Sequence, residues 1–150
     1  MGFAYFLIVA CGESTPPPVI VAPEPVLEAP APEPATAPPS VHGVSFIEPV
    51  DGAHVKSPVH VKMGVTGMEV RRAGEMVDNS GHHHVLIDLD PITAGQQIPK
   101  DETHLHYGGA DTEADVVLSP GVHKLTLQFA DANHMSYGPE WAKTVTVTVE

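Results

Sequence analysis

Cysteine is almost missing from this chain. The single Cys11 excludes an intramolecular disulfide, so its position near the start carries more information than its number. Positive charge is also scarce: seven Lys and Arg face 19 Asp and Glu, a formal charge of −12 that favours solubility and argues against holding nucleic acid or anionic lipid electrostatically. No Gly-x-Ser-x-Gly elbow, phosphate loop, catalytic-cysteine signature or zinc-protease motif occurs, which sets hydrolase and nucleotide chemistry aside. Beyond residue 41 no window of eleven residues keeps a helical apolar period. What the chain has in excess is proline, with 16, and histidine, with ten, in 150 residues that leave room for one domain.

The first ten residues form an apolar run of signal-peptide length, too short to span a bilayer as a helix. Ile8-Val9-Ala10-Cys11 resembles the lipobox of bacterial lipoproteins, in which cleavage before the cysteine leaves a thiol that is diacylglycerated. Small Ala10 suits a peptidase pocket and Cys11 supplies the sulfur. No Lys or Arg precedes the run, which departs from that pattern and makes a start upstream of Met1 one reading. Gly12, rather than Asp, after the cysteine resembles sequences sorted onward to an outer membrane. Between Thr15 and Ser40 lie ten prolines, with Glu24, Glu28 and Glu33 as the only charges. Such a segment has too few backbone donors and too little apolar surface to fold, and favours extended polyproline II. At full extension it would reach roughly 80 Å, enough to hold a domain clear of a membrane. The expected order is a signal-peptide hydrophobic region at 1–10, a lipidated Cys11 with a disordered Pro/Ala/Glu-rich linker at 11–41, and a folded domain at 42–150. That order points to the bacterial cell envelope, as a periplasmic or outer-membrane lipoprotein anchored through Cys11.

The folded part reads as strands separated by turns. Val44-Ser-Phe-Ile47 alternates, Glu48-Pro-Val-Asp-Gly52 supplies turn residues, and Val59, Val61, Met63 and Val65 share one face of the next run. Val85, Ile87 and Leu89 line one face of the segment after Gly81; Leu125, Leu127 and Phe129 line another, after the turn Ser119-Pro-Gly121. The last run alternates most cleanly, with Val145, Val147 and Val149 inward and threonines outward. Seven or eight short strands in roughly 110 residues predict an all-β fold, an antiparallel immunoglobulin-like β-sandwich, with Phe46 and Trp141 as candidate core residues.

The histidines are not scattered evenly. Gly81-His-His-His-Val-Leu-Ile-Asp88 and Thr103-His-Leu-His-Tyr107 each contain a His-x-His pair. In a strand such pairs share a face, so His82 goes with His84, and His104 with His106. His83 has the parity of Val85 and Ile87 and is expected to point into the core, unless a β-bulge at Gly81 exchanges the roles. If the two strands are neighbours, four imidazoles converge, and neutral imidazole is a common ligand for copper and zinc. The alternative is a solvated face that happens to be rich in imidazole. A fifth candidate, His134, lies in a loop at a strand end, beside Met135, a thioether suited to copper(I). Asp88, Asp131 and Glu102 are candidate partners for the far ring nitrogens, while His42, His54, His60 and His123 read as surface residues. The expected metal ligands are therefore His82, His84, His104, His106 and His134.

Four stretches carry a resemblance: Ser45-Phe-Ile-Glu-Pro-Val-Asp-Gly52, the triple-histidine segment, Ile98-Pro-Lys-Asp-Glu-Thr-His-Leu-His-Tyr-Gly108, and Leu127-Gln-Phe-Ala-Asp-Ala-Asn-His-Met-Ser-Tyr-Gly-Pro139. Together they resemble the bacterial family catalogued as domain of unknown function 4399, over nearly all of Val44 to Val149. The resemblance implies a bacterial, exported single domain and no particular chemistry.

Three functional classes fit these readings. One is a membrane-tethered metal-binding lipoprotein that captures, buffers or delivers copper or zinc, broadly like small β-sandwich copper-resistance proteins; four or five nitrogen donors without thiolate favour Cu(II) or Zn(II). A second is a copper redox metalloenzyme resembling superoxide dismutases, which also carry His-x-His on a β-scaffold, although no residue pattern demands an open coordination position or a substrate channel. A third is an envelope interaction module without metal, whose partner is another envelope protein.

Overall fold

The computed structural model describes Gly2 and residues 42–150; the opening apolar run, Cys11 and the proline-rich stretch lie outside the described residues. Nine strands follow in order: β1 (Gly43–Glu48), β2 (Ala53–Val55), β3 (Val59–Thr66), β4 (Glu69–Val70), β5 (Ser80–Ile87), β6 (His104–Tyr107), β7 (Glu113–Val116), β8 (Gly121–Ala130) and β9 (Ala142–Val149). A single 3₁₀ turn, Pro139–Trp141, is the only helical element among the described residues. The fold is all-β, as alternation predicts. Nine strands rather than seven or eight arise because β2 and β4, three and two residues long, are too short to show an alternation.

The strands form two sheets. The smaller has the order β1-β3-β7, and the larger runs β2-β9-β8-β5-β4, with β6 also paired to β5. Most pairings are antiparallel, but β2 runs parallel to β9 and β4 parallel to β5. Since β8 occupies one edge of β5, β4 and β6 take successive stretches of the other, at Ser80–Gly81 and at His83–Leu86. The β5–β8 register advances without interruption from His82↔Ala130 to Ile87↔Leu125. No bulge disturbs the alternation there, so His82 and His84 take the face opposite His83.

The core lies between the sheets. Val59, Val61, Met63 and Val116 of the small sheet meet Val85, Leu125, Leu127, Val145, Val147 and Val149 of the large one. Burying one such side chain stabilises the fold by about 1.5–3 kcal/mol, and this stripe is the main source of cohesion. Phe46 packs against its margin.

The outer face of the large sheet is covered rather than solvated. Leu86, Ile98 and Ala130 form a second cluster with Leu89 and Ile92, which brings the chain after β5 back across the sheet. Polar side chains fasten that cover: Gln128 accepts from the Ile92 amide (3.0 Å) and donates to the Gly138 carbonyl (2.9 Å), Thr126 donates to Leu89 (2.9 Å), and Ser136 donates to Ile92 (2.9 Å). Thr126, Gln128 and Ser136 are thus buried with partners, which keeps their desolvation affordable. Beneath the same cover lie His82 and His84, with no exposed surface at all.

Candidate metal centre

Three elements bring histidines to one place. Strand β5 supplies His82 and His84, and β6 supplies His106, directly opposite His84 in the ladder. The loop after β8 supplies His134. Its backbone is left-handed (φ 67°), a conformation costing about 1–2 kcal/mol for an L residue, and the loop is built to hold it. Asp131 Oδ1 accepts the amides of Asn133 (2.8 Å) and Met135 (2.9 Å), its carbonyl accepts the His134 amide (3.0 Å), and the Ile98 amide donates to the His134 carbonyl (2.8 Å).

The ring of His106 is fixed from another side. A Cβ at Gly108 would overlap His106 Cε1 and Nε2 and would stand 3.0 Å from Ala73 Cβ, so only glycine lets this imidazole take its place. At the start of β5, a Cβ at Gly81 would run into the Ala130 carbonyl and stand 2.9 Å from Phe129, so glycine also sets the close approach of β5 to β8.

The four rings form one compact group. Every pair among His82, His84, His106 and His134 has its centroids between 4.7 and 5.7 Å apart. His82 and His84 approach Nε2 to Nε2 at 3.0 Å, and His106 and His134 do the same at 3.0 Å. One nitrogen from each of His82, His84 and His106 lies within 4.8 Å of the others. Around a tetrahedral zinc, nitrogens at about 2.0–2.1 Å from the ion stand roughly 3.3 Å apart, so the spread of separations brackets the one such an ion requires. The donor set is all imidazole, which suits Zn(II) or Cu(II).

Electrostatics favour the neutral form of His82, His84 and His106. Burial pushes His82 down to about 4, helped by the neighbouring His106 and His134 and opposed by Asp131. Burial first, then His82, His106, His134 and His104, push His84 to about 2. His106 is lowered by burial, by His134 and by the Lys100 ammonium, against the pull of Asp111. Neutral imidazoles are the form that binds a metal. Nδ1 of His82 and of His84 has no hydrogen-bond partner among the described residues, and a buried unsatisfied donor costs about 1–3 kcal/mol. A ligating imidazole ordinarily donates from its far nitrogen, and this shell is thinner here than that rule leads one to expect. A cation shared by the ε nitrogens would offset that cost; the two Nε2 contacts at 3.0 Å are what the described residues offer in its place.

His104 stands apart from the cluster. It lies opposite Leu86, one alternation beyond His106, and its Nδ1 is 2.8 Å from Asp101 Oδ1 and 3.2 Å from Thr103 Oγ1. The bond to His104, then those to Thr103, hold the Asp101 carboxyl far below the usual carboxylate range. The His-x-His parity of β6 is present, but the turn before β6 engages its first histidine.

His83 points between the sheets, buried, 5.0 Å edge-on to Phe129, with neither ring nitrogen bonded. Among the histidines read as surface residues, His54 and His60 pair with Glu150 and Asp115 on exposed ground. His123 corrects that reading: its side chain is only 14% exposed, because Asp88 Oδ2 holds Nδ1 at 2.9 Å while Nε2 lies 3.0 Å from the Ser119 carbonyl. Asp88 is thereby committed to His123 and Asp131 to its own loop, so neither bonds a ring of the cluster. Cys11 lies outside the described residues. Sequence reasoning misses Gly108 and Lys100; the Gly108-Gly109 pair directly after His-Leu-His-Tyr107 was the available signal for the first.

A family model described as Domain of unknown function (DUF4399) matches residues 61–150, the stretch that carries all four clustered imidazoles. No curated protein and no solved structure matches the chain. With the family model covering more than half of its length, the chain belongs to the DUF4399 family.

Proposed function

We propose that this protein binds one copper or zinc ion through His82, His84, His106 and His134, and captures, buffers or delivers it at the bacterial envelope, tethered by a lipid on Cys11. The observation that carries the reading is the convergence of four imidazoles, two of them without exposed surface, on one another. The tether rests on the sequence alone: the lipobox-like Ile8–Cys11 and the proline-rich stretch after it. Binding and delivery, rather than turnover, is the favoured role, since among the described residues no carboxylate, hydroxyl or ammonium group is bonded to the four rings.

The test is thermal unfolding of chelator-stripped protein with Cu(II) or Zn(II) added separately. At a hundred times its dissociation constant the ion stabilises the fold by about 2.7 kcal/mol. His84→Ala removes that gain. A superoxide-dismutation assay on the copper form separates a carrier from a redox catalyst.

A second reading has one observation in its favour. The two Nε2 pairs at 3.0 Å are also at hydrogen-bond distance, and two imidazole–imidazole bonds would make the group a metal-free polar brace in an envelope interaction module. Unchanged unfolding temperatures with both ions support that reading.

A further inference from the structure

The four imidazoles are not equally enclosed. His82 and His84 are sealed under the cover of the large sheet, whereas His106 and His134 keep partial exposure, so solvent reaches the group from their side. On the His134 side lies a cleft of about 430 Å³, lined by Gln97, Ile98, Pro99, Lys100 and His134. We infer that this cleft admits a small anion, which passes Lys100 and completes the coordination of the ion held by the four rings; the inference rests on the metal reading above.

The lining argues for that ligand class. Ile98 is buried and tied through its amide to the His134 carbonyl, so the apolar wall and the ligating ring are held in one frame. Lys100 is one of only seven cationic side chains in the sequence, and it lines the same cleft as the ligating His134. A divalent ion bound by neutral imidazoles leaves two positive charges uncompensated, and the ammonium beside them adds a third. Among the described residues no carboxylate lines the cleft. The chain's net −12 repels anions at long range, yet beyond about 8–10 Å salt screens that field, and the approach is decided by the charges beside the opening. The single cation of the cleft favours a small monovalent anion over a nucleotide or a polyanion.

Azide on the copper(II) form is the probe. After metal content has been measured, azide is titrated and the azide-to-copper charge-transfer absorption is followed. One azide per copper is expected, with an affinity that falls as ionic strength rises. Lys100→Met, an exposed substitution, should keep its copper, bind azide about three- to fivefold more weakly and lose part of the salt dependence, the effect of one partly exposed charge. Lys100→Arg should restore the affinity. Copper bound without azide absorption, or equal azide affinity in wild type and Lys100→Met, overturns this inference and leaves the metal reading standing. A chain that holds no copper overturns both.

Discussion

Two groups of histidines in this molecule live under opposite conditions. Four of the outlying ones, His54, His60, His104 and His123, each stand beside a carboxylate, at 2.8 to 3.4 Å. The four of the cluster stand beside one another, and among the described residues no carboxylate is bonded to any of them. A carboxylate favours the charged ring, as at His123, whose pKa the Asp88 bond raises; burial among other imidazoles favours the neutral ring, as at His84. The difference teaches where to look for a ligand. Each of those four outlying histidines has a carboxylate partner without one, whereas His82 and His84 turn their ε nitrogens toward one another and leave buried Nδ1 atoms unbonded.

The comparison is broken most severely from the other side of β5. Leu127→Ala opens a cavity between the sheets and should cost about 2–5 kcal/mol in denaturant unfolding, equally with and without metal, because its packing does not involve the four rings. A loss confined to the metal-bound form would mean that the core and the cluster are one unit. Next comes Gly108→Ala, whose new Cβ displaces the His106 ring. It should weaken metal binding about 10- to 100-fold in a competition titration, as disturbed supporting groups do, with little change in the metal-free unfolding midpoint.

Acid sharpens the contrast further. Burial lowers His82 and His83 to about 4 and His84 to about 2 in the folded chain, against an ordinary 6.5. The unfolded chain therefore binds more protons below pH 6.5, and the metal-free fold should lose stability as pH falls from about 6.5 toward 4, by up to about 1.4 kcal/mol per pH unit for each histidine. The smallest effect has the reverse sign. His123 has a raised value, so its contribution is present below 6.5 and fades as pH rises through that raised value; His123→Gln should remove less than about 1 kcal/mol, and only on the acid side. Chemical denaturation across pH 4 to 8 reads both.

Much of the fold was legible because it repeats every two residues. Val145, Val147 and Val149, or Leu125 and Leu127, announce their face by alternation, and the same parity separates His83 from His82 and His84. What parity does not carry is adjacency: that β6 lies against β5, with His106 opposite His84, is a property of a crossing that local pattern does not encode. It also does not carry the cover. An outward face that reads as solvated is buried because the chain after β5 folds back, with Ile92 and Ile98 pinned by Gln128, Ser136 and the His134 carbonyl. His104 shows the limit most clearly: its spacing matches that of His106, but an aspartate three residues earlier engages its ring.

The most direct test is native mass spectrometry of the chain after loading with Zn(II) or Cu(II) and removal of the excess ion. One ion per chain is predicted for wild type and for His104→Ala, and none for His82→Ala combined with His134→Ala. Metal-free wild-type protein, or equal retention of the ion in the double variant, would contradict the account.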